Sequence, residues 1–312
     1  MGKIAFLFTG QGAQKVGMGA DLYESQSVCR EIFEMGERLR PGTIEQCFHS
    51  NQNTLTQTSN TQPCLFLVDL ACAQVLSACG IKADVVTGFS LGEIPAVAYT
   101  GILSTEDAFR LVVARGNAMD ACAKAHPGAM AAILRLSAEE VEKLAAKCQD
   151  IYPVNYNCPS QTVVAGSKEA IAAFGDIVKA AGGKAIPLAV SGAFHTPYML
   201  DATARLKSEL QTMKVVAPKL PIYSNTTAKP YPQDAEAIRE LIANQASNSV
   251  RFEQTIRNMA AAGVDTFIEV GAGKTLSGLV NKTLSNVNVL NVTDADSLAK
   301  AVATLQEGES NA

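Results

Sequence analysis

Short apolar runs alternate with segments of helical period along most of the chain. "KIAFLFTG" is an apolar run closed by Gly10 and reads as a buried first strand. A polar, Gln- and Asn-rich connection follows. "QPCLFLVDLACAQVLSACG" is then apolar on all sides and reads as a buried helix, with Pro63 near its start and Gly80 as C-cap. "ADVVTGFS" is expected as the next strand, "LGEIPAVAYTG" as the helix after it, and "TEDAFRLVVARGNAMDACAKA" as a longer helix capped by Ser104 or Thr105. This alternation predicts an α/β fold with a mostly parallel sheet.

From Pro127 the rhythm changes. "GAMAAILRL" reads as a strand and "SAEEVEKLAAKC" as a helix opened by a capping box of Ser137 and Glu140. "IYPVNYNC" and "TVVAGS" read as two strands, "KEAIAAFGDIVKAAGG" as a helix and "KAIPLAV" as a strand. The order β-α-β-β-α-β is the ferredoxin-like unit. Residues 127–190 are therefore expected as an inserted subdomain, with 1–126 and 191–312 forming the large α/β domain. The large domain continues with a helix "TPYMLDATARLKSEL", a strand "PIYSN", helices "DAEAIRELIANQ" and "RFEQTIRNMAAAG", a strand "VDTFIEVG" and a closing helix "KTLSGLVNKTL". The tail "QEGESNA" is expected to be unstructured.

Composition narrows the function classes. The 312 residues are 47% hydrophobic, enough for a sizeable core, and carry a formal net charge of -4 with both signs interspersed. There is no basic block, so no nucleic-acid partner is expected. Apolar runs fall short of the ~20 residues of a membrane span, and Ile4–Phe8 is shorter than the ~7–15 residues of a signal core. A myristoylation signal fails because position 6 is Phe6. Eight scattered cysteines form no C-x-x-C pair and read as reduced thiols of a cytoplasmic protein, with Cys64, Cys72 and Cys79 expected in the core.

Three glycine patterns carry candidate chemistry. "TGQGAQKVG" follows a strand but has Lys15 where a dinucleotide loop requires glycine. "GAGKTLSG" has Ile268 where a phosphate loop requires its first glycine, so Gly271 and Gly273 read as a strand-to-helix turn. Gly88-Phe89-Ser90-Leu91-Gly92 satisfies both pattern and context: strand, sharp turn, helix. Alone it leaves a plain turn and a nucleophile both open. A nucleophilic serine needs a base. Of the three histidines, His49 lies in a polar stretch and His126 at the domain junction, where it reads as a hinge residue. His195 lies at a strand end before a helix, where catalytic groups of open α/β sheets gather, although a core or capping role also fits. No aspartate stands out as a third member. A Ser–His pair oriented by a neutral group is expected.

Several separated stretches, in order, carry a family resemblance: "FTGQGAQ", "TQPCLF", "GFSLGE", "ARGNAM", "GAMAAIL", "NYNCPSQTVVAG", "SGAFHTPYM", "NQASNSVRF" and "EVGAGKTLSGLV". Together they resemble the malonyl-CoA:acyl carrier protein transacylases and the acyltransferase domains of polyketide and fatty acid synthases, over residues 5 to about 282. The resemblance implies a hydrolase-like α/β domain with a ferredoxin-like insert. It implies that Ser90 carries the malonyl group as an ester, that His195 is its base, and that the Gln245 backbone carbonyl orients the imidazole. Backbone N–H groups of Gln11 and Leu91 would form the oxyanion hole, Arg115 would grip the malonyl carboxylate, and Gln62 would lie nearby. Phe194 before the histidine goes with malonyl rather than a branched unit. The chain departs from the family at Phe89, where histidine is common, at Ser249 (proline), Phe252 (tryptophan) and Ile94 (an aromatic).

The expected activity is ping-pong malonyl transfer from malonyl-CoA, a substrate, to the phosphopantetheine thiol of acyl carrier protein in fatty acid synthesis. No tightly bound cofactor or metal is expected. Lys184, Lys274 and Lys282 are candidates for a basic patch facing an acidic carrier, and a monomer is expected. The alternatives are an acyltransferase or acyl hydrolase of a polyketide pathway, and a non-catalytic carrier-binding module. For Arg115 the competing reading is a solvated helix arginine, against which stands its apolar setting "LVVARGNAM".

Overall fold

The computed structural model describes residues 2–190 and 192–310. Its strands are β1 (Lys3–Phe8), β2 (Val85–Gly88), β3 (Ala129–Leu134), β4 (Ile151–Cys158), β5 (Gln161–Gly166), β6 (Lys184–Pro187), β7 (Ile222–Tyr223), β8 (Val264–Val270) and β9 (Asn288–Val292). One sheet has the order β7-β2-β1-β8-β9 and is parallel throughout. The other has the order β4-β5-β3-β6 and is antiparallel throughout. The fold class is thus α/β with a parallel, hydrolase-like sheet plus a ferredoxin-like unit.

Among the described residues the helices are α1 (Ala20–Ser25), α2 (Ser27–Leu39), α3 (Thr43–Phe48), α4 (Gln52–Leu55), α5 (Thr58–Ala78), α6 (Glu93–Tyr99) and α7 (Thr105–Ala125). After these come α8 (Ala138–Ala145), α9 (Lys168–Ala180), α10 (Leu200–Gln211), α11 (Ala235–Asn244), α12 (Phe252–Ala261), α13 (Thr275–Thr283) and α14 (Ala295–Ser310). Helices cover both faces of the parallel sheet, so β1, flanked by β2 and β8, is apolar without alternation. α5 packs between α2 and α7 and is long and apolar enough to cross a bilayer, yet 83% of its most apolar window is buried inside the protein. Ser104 caps α7, and Ser137 with Glu140 closes the capping box of α8. Gly80 follows α5 with φ 88°.

Three expectations are corrected. The polar connection before α5 folds into α1 to α4, and α2 buries Cys29, Ile32, Phe33 and Met35 beneath a charged outer face. The helix "KTLSGLVNKTL" does not close the fold, because β9 adds an edge strand and α14 runs on to Ser310, through most of the tail expected to be unstructured. Asn311 and Ala312, like Ser191 at the expected domain boundary, lie outside the described residues. Cys79 is exposed, whereas Cys64 and Cys72 are buried; all eight cysteines are free.

Two features position the cleft between the sheets. An antiparallel bridge between Pro127 and Gly192 joins the ends of the inserted segment. β4 also hydrogen-bonds to the segment before α12: Val250 N–H donates to Val154 O at 2.7 Å and Tyr156 N–H to Val250 O at 2.8 Å.

The turn after β2 is pressed against the end of β1. A Cβ on Gly92 would collide with the carbonyl oxygens of Phe8 and Thr9, and one on Gly88 with the carbonyl of Gly92. Both obstacles are backbone and cannot rotate away. Gly92→Ala should therefore lower unfolding free energy by about 3 kcal/mol or more, or prevent folding, as read by chemical denaturation.

Candidate active site

β2 ends at Gly88 and the chain turns through a 3-10 segment, Ser90–Gly92, into α6. Ser90 has φ 53°, a left-handed conformation that costs a non-glycine residue about 1–3 kcal/mol unless its surroundings hold it. Asn225, just beyond β7, supplies that hold. Its Oδ1 accepts from Ser90 N–H at 2.6 Å and its Nδ2 donates to Gly88 O at 2.6 Å. The strained turn leaves the Ser90 hydroxyl projecting into the cleft.

Ser90 Oγ lies 2.7 Å from His195 Nε2. His195 Nδ1 lies 3.0 Å from Gln245 O and 2.9 Å from Asn248 O. Both are acceptors, so Nδ1 carries the proton and Nε2 is left to accept from the serine. The imidazole is oriented by two backbone carbonyls and by no carboxylate. Burial, and then the nearby Arg115 charge, push the His195 pKa down to about 4. The ring is therefore neutral at neutral pH, with Nε2 open to a proton.

Arg115 projects from the middle of α7 and is only 1% exposed. Its Nη1 donates to Gln62 Oε1 at 2.9 Å. Its Nη2 donates to Gln245 Oε1 at 2.8 Å and to Ser90 Oγ at 3.2 Å. These partners are all uncharged. Burial lowers its pKa to about 10, which still leaves it cationic at neutral pH. Gln245 Nε2 donates to Ser90 O at 2.6 Å and to Glu93 Oε2 at 2.8 Å. Glu93 also accepts from the Tyr231 hydroxyl at 2.6 Å, and its burial raises its pKa to about 7 against these donors.

Leu91 is buried in the 3-10 turn, whose first backbone bond is Gly92 N–H to Phe89 O; its own N–H precedes the bonded turns. Gln11 lies just past the end of β1, and Phe89 N–H bonds to Phe8 O, which brings that segment alongside the serine turn. The Gln11 side chain donates to Thr58 Oγ1 at 3.1 Å. Ser90, His195, Arg115, Gln62, Gln11 and Phe194 all line one cavity of about 80 Å³. That cavity shares Gln11, Phe89, Asn155 and Leu188 with a wider one of about 390 Å³, which Lys274 and Lys282 also line. Lys184 is exposed on β6 and lines neither. Phe89 packs against Phe252 with ring centroids 5.5 Å apart. His49 and His126 are exposed, and His126 lies beside the Tyr198 ring. Among the described residues no cluster of His, Cys, Asp and Glu could hold a metal ion.

Four contributors escaped sequence reasoning. Asn225 and Asn248 sit in stretches already singled out, "PIYSN" and "NQASNSVRF", and Glu93 in "GFSLGE"; a polar residue at a strand end was the available signal for Asn225. Tyr231 gave none. The arrangement suits covalent acyl chemistry: a hydroxyl held against a neutral imidazole, and a buried cation facing the same small cavity.

The family profile described as "Acyl transferase domain" matches residues 5–310. The malonyl CoA-acyl carrier protein transacylase of Bacillus subtilis is 38% identical over 318 residues, covering 100% of both chains. Among solved structures, the malonyl CoA-acyl carrier protein transacylase of Clostridium perfringens superposes with a TM-score of 0.95 at 36% identity, over 98% of each chain. A malonyl-transacylase in complex with its type II PKS acyl-carrier protein superposes with a TM-score of 0.93 at 33% identity, over 97% of this chain and 99% of that one.

The depressed His195 pKa predicts a shifted acid limb. Below about 4 the imidazole is protonated and no base remains. Reaction of Ser90 with a neutral acylating reagent should hold its rate from roughly pH 8 down to about 5 and fall only beyond that. A pH–rate profile of adduct formation checks this; a midpoint near the ordinary value of 6.5 would contradict it.

Proposed function

The chain belongs to the acyl transferase domain family, and on that premise we propose that it moves a malonyl group from malonyl-CoA to the phosphopantetheine thiol of an acyl carrier protein, through an ester on Ser90. The observation that carries this reading is a single constellation: Ser90 Oγ at 2.7 Å from His195 Nε2 and at 3.2 Å from a buried Arg115 Nη2.

In the first half-reaction Ser90 Oγ attacks the thioester carbonyl while His195 Nε2 takes its proton. The negative charge that develops on the carbonyl oxygen is met by the N–H groups of Leu91 and Gln11; a donor of this kind contributes about 2.7–4 kcal/mol to the transition state. Collapse of the tetrahedral intermediate breaks the C–S bond, and the imidazolium returns its proton to the departing coenzyme A thiolate. In the second half the carrier's thiol gives its proton to His195, its sulfur attacks the ester, and Ser90 leaves with the proton. The two carbonyls on Nδ1 stabilise the imidazolium by accepting its hydrogen bond, without becoming protonated themselves.

Arg115 selects the acyl group. A guanidinium binds a carboxylate in a two-pronged, charge-assisted contact. Its present partners at Gln62, Gln245 and Ser90 are neutral, so a malonyl carboxylate brings an interaction that none of them supplies. An acetyl group brings only a methyl to a buried cation. Phe194, in the wall of the same cavity, limits branching at the acyl carbon. The wider cavity takes the pantetheine arm, and Lys274 and Lys282 on its lining face an acidic carrier. The substrate is a coenzyme A thioester, the pathway is fatty acid synthesis and the compartment is the cytoplasm. A polyketide carrier remains the alternative acceptor, as for the relative bound to its type II PKS acyl-carrier protein.

Incubation with malonyl-CoA followed by intact-mass measurement should show one malonyl adduct, mapped to Ser90 and discharged by added holo acyl carrier protein. Free malonate without an adduct would mark a hydrolase, and neither product a binding module. Arg115→Ala should lower kcat/KM for malonyl-CoA by roughly 100-fold and raise the relative use of acetyl-CoA. Steady-state kinetics with both donors reads the ratio, and an unchanged malonyl preference would remove Arg115 from the anchor role.

A further inference from the structure

Glu93 is a buried carboxylate that the acyl-transfer steps do not use. It is 1% exposed in the first turn of α6. The groups hydrogen-bonded to its head are all donors: the Tyr231 hydroxyl at 2.6 Å, Gln245 Nε2 at 2.8 Å and the Asn225 backbone N–H at 3.4 Å from each oxygen. A nest dominated by donors of this kind favours an anion.

The nest decides which way the Gln245 amide faces. Its Nε2 meets Glu93 Oε2 and Ser90 O, both acceptors, while its Oε1 meets Arg115 Nη2, a donor. Reversed, the amide would set an oxygen against a carboxylate and a carbonyl, and an NH₂ against a cation. Both ends of the reversed amide would repel their neighbours.

The spacing of the charges matters as well. Arg115 and Glu93 are both buried, and each needs a counter-charge nearby. A direct contact between them would occupy the edge of the guanidinium that a substrate carboxylate must use. Gln245 stands between them, so the ionised form of Glu93 supplies a counter-charge while Arg115 keeps only neutral oxygens on its Nη groups.

We infer that Glu93 is a positioning residue for acyl-group selection: through the Gln245 amide it holds Arg115 beside the Ser90 hydroxyl, and as a counter-ion one amide removed it leaves Arg115 able to take a carboxylate. This rests on Arg115 being the acyl anchor.

Glu93→Gln and Tyr231→Phe separate this role from a structural one. Glu93→Gln keeps the volume but removes the counter-charge and leaves a single oxygen for the Gln245 amide and the Tyr231 hydroxyl, which loosens the hold on Gln245. Tyr231→Phe removes one donor from the same carboxylate and leaves the Gln245 contact in place. Each variant is assayed with malonyl-CoA and acetyl-CoA as donors to holo acyl carrier protein, alongside thermal unfolding. In Glu93→Gln the malonyl-over-acetyl ratio of kcat/KM should fall by about tenfold or more, mainly through a higher KM for malonyl-CoA. In Tyr231→Phe the ratio should stay within about twofold even though the melting temperature drops.

An unchanged ratio in Glu93→Gln, or an equal fall in Tyr231→Phe, overturns the inference. If Glu93→Gln does not fold, Glu93→Asp, which keeps the charge but shortens its reach to Gln245, takes its place with the same expected fall and the same overturning result. Arg115→Ala distinguishes the two levels. If it keeps the ratio, the anchor reading fails and takes this inference with it. If it loses the ratio while Glu93→Gln does not, only the role of Glu93 falls.

Discussion

One residue, Gln245, ties the site together. Its backbone carbonyl receives the imidazole of His195, and its side chain reaches Ser90 O, Glu93 and Arg115. Imidazole, serine turn and guanidinium thus share a single fixed reference. Gln245 is itself 1% exposed, in a short 3-10 turn that continues α11, so packing of that helix sets where it sits. A displacement there would be felt by three functional groups at once, which is the geometric reason for grouping them around one buried amide rather than three separate supports.

The electrostatics follow from the absence of a carboxylate on the histidine. Two carbonyls fix the tautomer without adding charge, and the neighbouring guanidinium works with burial against protonation. In the proposed half-reactions an imidazolium formed there would therefore give up its proton readily to a departing sulfur or oxygen. A paired carboxylate would hold that proton more firmly. The same guanidinium donates to the serine oxygen, so one cation both adds to burial in disfavouring the imidazolium and touches the hydroxyl beside it.

Much of this was legible in the sequence, for reasons that differ by element. β1 and β2 are buried and read as mostly apolar runs, β8 keeps apolar Phe267, Ile268 and Val270 among polar Asp265, Thr266 and Glu269, and α5 and α7 are long enough for composition to decide them. α1, α3 and α4 are at most 6 residues long, too short for period to register. β9 is an edge strand, half-buried along most of its length, and gave no apolar run. In the site, Ser90, His195 and Arg115 were readable because a hydroxyl between glycines, a scarce imidazole and a charge in an apolar helix are each unusual locally. Asn225 and Tyr231 are ordinary residues whose importance comes only from partners 135 and 138 positions away. No local pattern encodes such a contact.

The bridge between β4 and Val250 bears on how the cleft admits its reactants. Asn248, whose carbonyl holds the imidazole, lies in the same short segment as Val250. A swing of the antiparallel sheet away from its neighbour would have to stretch or break that seam. The two sides of the groove thus share one hydrogen-bonded edge, which ties the place of the imidazole to that of the antiparallel sheet.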